Sequence, residues 1–210
     1  MRRKSYKDFP SAFATRWSWR IVDDVPATIQ ILMKERFMSG VRVVPWQDGE
    51  PAPPELLAGM RARRPNGELI GIDRILLKSF PLAMGWNELL RRVRADFELE
   101  LEYRELIMLR VAVLNGADFE WRVHQPAYLQ AGGTLEKCSA IQADQVTSAL
   151  FDERERVLLE LADQSTRRVV VDAAAIEKLK ALFGERKAVE AVATVAAYNM
   201  VSRFLVALAI

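Results

Sequence analysis

From residue 54 onward, apolar positions recur at intervals of three and four rather than two, which is the spacing of one face of a helix. In "LEYRELIMLRVAVLNG" the residues Leu106, Leu109 and Val113 fall at that spacing, and the run stops at Asn115-Gly116, a helix-ending signal. Upstream, Pro81 opens "PLAMGWNELLRRVRADF", since proline is tolerated in the first turn of a helix. Downstream, Asp118 begins another predicted helix that ends at Gly132-Gly133. Three further helical segments follow: "FDERERVLLELADQ", "DAAAIEKLKALFG" and "KAVEAVATVAAYNMVSRFLVALA". The Pro-rich "QDGEPAPPELL" is a junction whose second half can open a helix, and "PNGELIG" is a turn-like break. Two short pieces, "VRVVPW" and "RRVVV", read equally as strands or as connectors. The pattern predicts an all-α domain.

Composition narrows the class. A chain of 210 residues, half of them hydrophobic and 28% charged, fits neither a disordered nor a membrane protein and has enough apolar material for one core. Residues 189–210 are long enough to span a bilayer, but Glu190, Asn199 and Arg203 would be costly in lipid, so this segment is predicted to be a buried helix. The lone cysteine, Cys138, excludes an internal disulfide, and with a single histidine there is no Cys/His zinc cluster. Cys138 reads as an inert, small hydrophobe. Neither a metal nor a cofactor is expected, and a reducing cytoplasm suits the cysteine usage.

The net charge of +2 is unevenly placed: residues 1–37 carry eight Lys/Arg against four Asp/Glu, leaving −2 for the rest. No basic stripe crosses the body of the chain, so neither nucleic acid nor membrane is expected as a partner. The leader fits no targeting class. Residues 1–37 therefore read as an N-terminal extension, and residues 38–210 as a single domain. Two explanations of the extension stay open: a non-native leader before translation from Met38, or a native helix that docks on a neighbouring subunit through Ile29, Ile31, Leu32 and Phe37.

Chemistry concentrates around the only histidine, His124. Glu120 lies four residues before it, so on a helix the carboxylate and the imidazole share a face. Histidine titrates near neutrality and a neighbouring carboxylate raises its pKa, which makes the pair an acid/base candidate. Taken alone, that spacing is also common on exposed helix faces.

The run from Arg104 through His124 to "AYLQAGG", with an Arg-Glu pair opening the first helix, an Asn/Gly turn and a histidine on the second helix, resembles the carboxymuconolactone decarboxylase and alkylhydroperoxidase D family. Flanking helices extend the resemblance over roughly residues 52–210. It implies an alkylhydroperoxidase D-like helical fold and a homo-oligomer, trimer or hexamer. In the hydroperoxidase branch a C-x-x-C pair precedes the histidine; here those positions hold Ala117 and Glu120, so disulfide chemistry lacks both thiols. What remains resembles the decarboxylase-like branch.

The resemblance implies a cofactor-free lyase acting on a small carboxylated lactone or related acid, with His124 moving a proton, Glu120 tuning or relaying it, and Glu105 in a relay role. A cation must hold the substrate carboxylate, and Arg203 and Arg110 are the candidates. Asn199 is either a member of a core network or a pocket liner. Trp121 is a further pocket candidate, although burial is the commoner fate of such an aromatic. A peroxide-handling antioxidant protein and a non-catalytic oligomeric binding protein of the same fold are the competing expectations.

Overall fold

Leu101–Asn115, the helix predicted from Leu106, Leu109 and Val113, is enclosed on all sides: every residue from Arg104 to Ala112 is buried. A helix with no solvent stripe belongs at the centre of a fold, and here it packs against three others. The structure, a computed structural model, describes residues 40–147 and 149–210. Among them are eight helices and no strand: α1 (Pro54–Ala62), α2 (Gly71–Leu76), α3 (Phe80–Ala95), α4 (Leu101–Asn115), α5 (Asp118–Gln130), α6 (Leu135–Gln142), α7 (Glu153–Arg168) and α8 (Ala173–Leu208). The central helix is α4, and α5, α7 and α8 surround it. The fold class predicted from periodicity is therefore the observed one. The 1–37 extension lies outside the described residues.

The α4 surface divides between two apolar clusters. Ile107, Met108 and Val111 join the larger one with α3, α7 and α8. Leu106 and Leu109 join a smaller one with Tyr128, Cys138, Ile141 and Phe151. Cys138 is thus a core residue, and burial pushes its thiol pKa up, as its reading as a small hydrophobe requires.

Local geometry sets the ends and the kink of three helices. Gly116 ends α4 in the left-handed conformation at φ 63°, and the Ala117 N–H reaches back to the Ala112 carbonyl at 2.8 Å. That six-residue closure lets α5 begin at Asp118, so α4 and α5 form a tight antiparallel hairpin. At the start of α7, Asp152 accepts from the Glu155 N–H at 2.8 Å while Glu155 accepts from the Asp152 N–H at 3.0 Å, a reciprocal cap. The two segments predicted on either side of Gly184 are one continuous run, α8, kinked at that glycine, whose φ of 78° and ψ of 164° are not helical.

Two short helices, α2 and α6, were not expected. They have six and eight residues, too few to show a period. "VRVVPW" is a connector: the Arg42 N–H donates to the Leu208 carbonyl and the Trp46 N–H to the Arg74 carbonyl, both at 3.0 Å. "RRVVV" is the end of α7 and the link to α8. By length and composition α8 could cross a membrane, yet half of its most apolar window is buried within the fold, which agrees with its reading as a core helix.

Candidate active site

The short turn sends α5 back antiparallel along α4, and Glu105 on α4 faces His124 on α5. Glu105 Oε2 lies 2.6 Å from His124 Nδ1. One helical turn before His124, Glu120 brings its Oε2 to 3.1 Å from Nε2. Each ring nitrogen therefore meets a carboxylate. None of the three side chains is more than 7% exposed. The Glu120 approach is an ion-pair contact rather than a directed hydrogen bond, so Glu120 Oε2 has no hydrogen-bond partner although it is buried.

Burial by itself would push the imidazole toward its neutral form. The Glu105 and Glu120 carboxyl groups oppose that, and the His124 pKa is raised well above the ordinary 6.5. Two carboxylates beside one imidazole in a dry site hold the proton on the ring. The resting form is an imidazolium between two carboxylates.

Two further residues complete the cluster, and the sequence reading missed both. Tyr198 of α8 packs edge-on against the His124 ring at 5.0 Å between centroids. Its hydroxyl accepts from Arg94 Nε of α3 at 2.9 Å. Burial works against the charge on Arg94, but Tyr198, Glu120 and Glu105 together raise its pKa. Burial also raises the pKa of Tyr198, which keeps the phenol protonated. The available signals were slight: Arg94 stands four residues after Leu90 beside an apolar stripe, and Tyr198 interrupts a run of small residues.

The other sequence candidates lie elsewhere. Arg110 has a fully buried side chain, but its guanidinium is engaged by Asp163, at 2.5 Å from Nε and 2.9 Å from Nη2, by Asp144 and by the Ile141 carbonyl. It is a framework residue with nothing left for a ligand. Arg203 is exposed. Asn199 belongs to a core network: its Oδ1 accepts from Asn115 at 3.1 Å, and its Nδ2 donates to Thr166 at 2.9 Å and to the Val195 carbonyl at 3.0 Å. Trp121 is half-buried and lines a cavity of about 380 Å³ at the α4–α5 turn, together with Ala117, Asp118, Arg122 and Gln142. None of Glu105, Glu120 and His124 lines that cavity. Among the described residues no set of three or more His, Cys, Asp and Glu side chains is arranged to hold a metal ion.

The family model that matches this chain, over residues 81–164, is that of the carboxymuconolactone decarboxylase family. The matched segment, residues 81–164, is less than half of the chain. It runs from the first turn of α3 into α7 and contains Arg94, Glu105, Glu120 and His124; Tyr198 of the cluster comes from outside it.

Solved structures extend the likeness in fold. A peroxidase-related protein from Silicibacter sp. TM1040 superposes with a TM-score of 0.69 at 19% identity, covering 82% of this chain and 94% of that one. The debrominase Bmp8, as a Cys-to-Ala variant in complex with 2,3,4-tribromopyrrole, gives 0.66 at 21% identity over 81% and 91%. A protein of unknown function from Agrobacterium tumefaciens, whose description proposes the antioxidant defence protein AhpD, gives 0.59 at 23% identity over 64% and 92%. The alkylhydroperoxidase D-like fold is thus the observed one. Comparison with curated proteins finds no match.

Proposed function

We propose that this protein, whose residues 81–164 match the carboxymuconolactone decarboxylase family model, is a cofactor-free acid/base catalyst, a carboxy-lyase acting on a small carboxylated lactone or a related acid. The observation that carries the reading is the buried Glu105–His124–Glu120 chain, in which a carboxylate stands at each imidazole nitrogen. Loss of carbon dioxide breaks the bond from the carboxylate carbon to the ring and leaves an electron pair, which conjugation into the lactone carbonyl delocalises. A proton must then be delivered to carbon.

Because both His124 nitrogens face carboxylates, the ring does not itself reach a substrate. Glu120, with an unpartnered Oε2, is the relay: it accepts the proton of His124 Nε2–H and passes it to carbon, leaving a neutral imidazole. Glu105 keeps Nδ1–H in place and holds the ring in its charged form. Solvent returns the proton to His124 after turnover.

The peroxide-handling reading has less support. Ala117 and Glu120 stand where a redox pair would be, and Cys138 is buried with a raised thiol pKa, whereas a reactive thiol needs exposure and a lowered one. The test is carbon dioxide release from 4-carboxymuconolactone, measured beside thiol-dependent peroxide reduction, in wild type and Cys138→Ser. Decarboxylation that Cys138→Ser leaves unchanged, without peroxide turnover, is the expected result. Peroxide reduction lost with Cys138→Ser would overturn the reading in favour of the antioxidant one.

A further inference from the structure

Arg63 sits at the C-terminal end of α1 beside a carboxylate that is already taken. Asp73 of α2 is 1% exposed and is gripped by Arg64, Nε to Oδ2 at 2.7 Å and Nη2 to Oδ1 at 2.8 Å. Its Oδ2 also accepts from the Ile70 N–H at 3.1 Å. Arg63 reaches this carboxylate only at 3.6 Å, from Nη2 to Oδ1, beyond hydrogen-bonding distance. Its Nε and Nη2 are buried and have no hydrogen-bond partner.

That edge of a guanidinium grips carboxylates elsewhere in this protein. Arg64 holds Asp73 with Nε and Nη2, and Arg110 holds Asp163 with the same two nitrogens. On Arg63 the equivalent fork is empty. Burial, helped by the neighbouring Arg64 and Arg94 and opposed by Asp73, pulls the Arg63 pKa down to about 10, as expected for a charge that its surroundings do not neutralise. Leaving two donors buried and unpaired destabilises a fold, and such a defect is typical of a site kept for a ligand. The side chain as a whole is 23% exposed.

Its location adds the second half of the argument. Arg94, whose charge acts on Arg63, also acts on Glu120 and Glu105 and bonds Tyr198 against the His124 ring. Arg63 directly follows α1, which packs against α3, the helix that carries Arg94. We propose that the Nε and Nη2 edge of Arg63 anchors a carboxylate of the substrate. The word substrate rests on the lyase reading above; the carboxylate site itself does not. Arg63 takes the place that charge alone had offered to Arg110 and Arg203.

The test uses the full-length protein with benzoate as probe and benzamide as its uncharged control, read by calorimetric titration and thermal unfolding. Wild type binds benzoate saturably and benzamide at least tenfold more weakly, the latter being about 1.4 kcal/mol. Arg63→Met weakens benzoate on the order of thirtyfold or more, and the ligand-free variant melts higher than wild type because an unneutralised buried charge is gone. Arg63→Lys retains charge but not the planar fork and falls between the two.

Wild-type benzoate affinity in Arg63→Met, equal binding of benzamide, no benzoate binding by wild type, or a lower melting temperature for ligand-free Arg63→Met would each overturn the proposal. Glu120→Gln separates it from the lyase reading. That variant keeps benzoate binding and loses turnover if both hold. Benzoate binding that depends on Arg63 in a protein with no lactone turnover leaves the anchor standing and removes the lyase reading, whereas lactone turnover with an unchanged KM in Arg63→Met does the reverse.

Discussion

Glu105→Leu slows turnover by about 10²- to 10⁴-fold, the range of a lost general acid/base contribution, and lowers the His124 pKa. In the wild-type protein, burial drives His124 toward neutrality, and the neighbouring oxygens, with the Glu105 hydrogen bond at 2.6 Å among the causes, reverse that. With the carboxylate gone, one opposing charge remains, Glu120, in contact but without a directed hydrogen bond. The ring then sheds its proton rather than stay charged in a dry site, which limits the stability loss to about 1–3 kcal/mol, the cost of a buried unpaired polar group.

His124 is the only histidine in the chain, so a single imidazole resonance followed by NMR across pH reports it without assignment. The dependence of stability on pH has a definite sign. A group whose folded pKa is raised contributes stability that is complete below its unfolded value near 6.5 and is lost as the pH climbs through the folded value. The stability gap between wild type and Glu105→Leu is therefore largest in mildly acidic buffer and narrows above pH 6.5. A gap that widened with rising pH in urea titrations, or an unmoved imidazole titration, would show that Glu105 does not hold the proton on the ring.

Arg110→Ala has its effect on the frame instead. The Arg110 side chain is wholly buried, while Asp163 is 24% and Asp144 is 62% exposed. The Asp163 pair therefore carries the energy, and the Asp144 contact adds little in solvent. Through these bonds α4 is fastened to α7 and to the end of α6. Removing one partner of such a buried pair costs about 3–5 kcal/mol, or on the order of 10 °C in melting temperature for a domain of this size. The His124 titration stays where it is in the surviving folded fraction. A drop of less than about 3 °C, around 1 kcal/mol on the same scale, would show that solvent or Asp144 compensates, and a moved His124 titration would link Arg110 to the site after all.

The contrast between Arg110 and Arg63 shows where sequence reading stopped. Periodicity located the helices, and the i, i+4 relation of Glu120 and His124 with the family resemblance located the α4–α5 pair, because those relations are local. A guanidinium's role depends on what lies opposite it, and sequence does not give that: Arg110 found Asp163, Arg203 found solvent, and Arg63 found an aspartate already held by its neighbour. Arg94 and Tyr198 were missed for the same reason, since they meet only once α3 and α8 have packed. The helices α2 and α6 were missed because one or two turns leave no period to read.

Glu105 and His124 are 19 residues apart and Arg94 and Tyr198 are 104 apart. Closing the longer loop costs about 1.5 kcal/mol more chain entropy, so the parts of the site form at different times. The imidazole and its first carboxylate come together within one hairpin, early and cheaply in sequence separation. The Arg94–Tyr198 brace arrives when α8 docks, at the end of folding. Pulse-labelled amides of α4 and α5 should gain protection ahead of those in the second half of α8, and simultaneous protection would refute this order. During synthesis, the proton-carrying pair is already complete while the tyrosine that packs against it has yet to leave the ribosome.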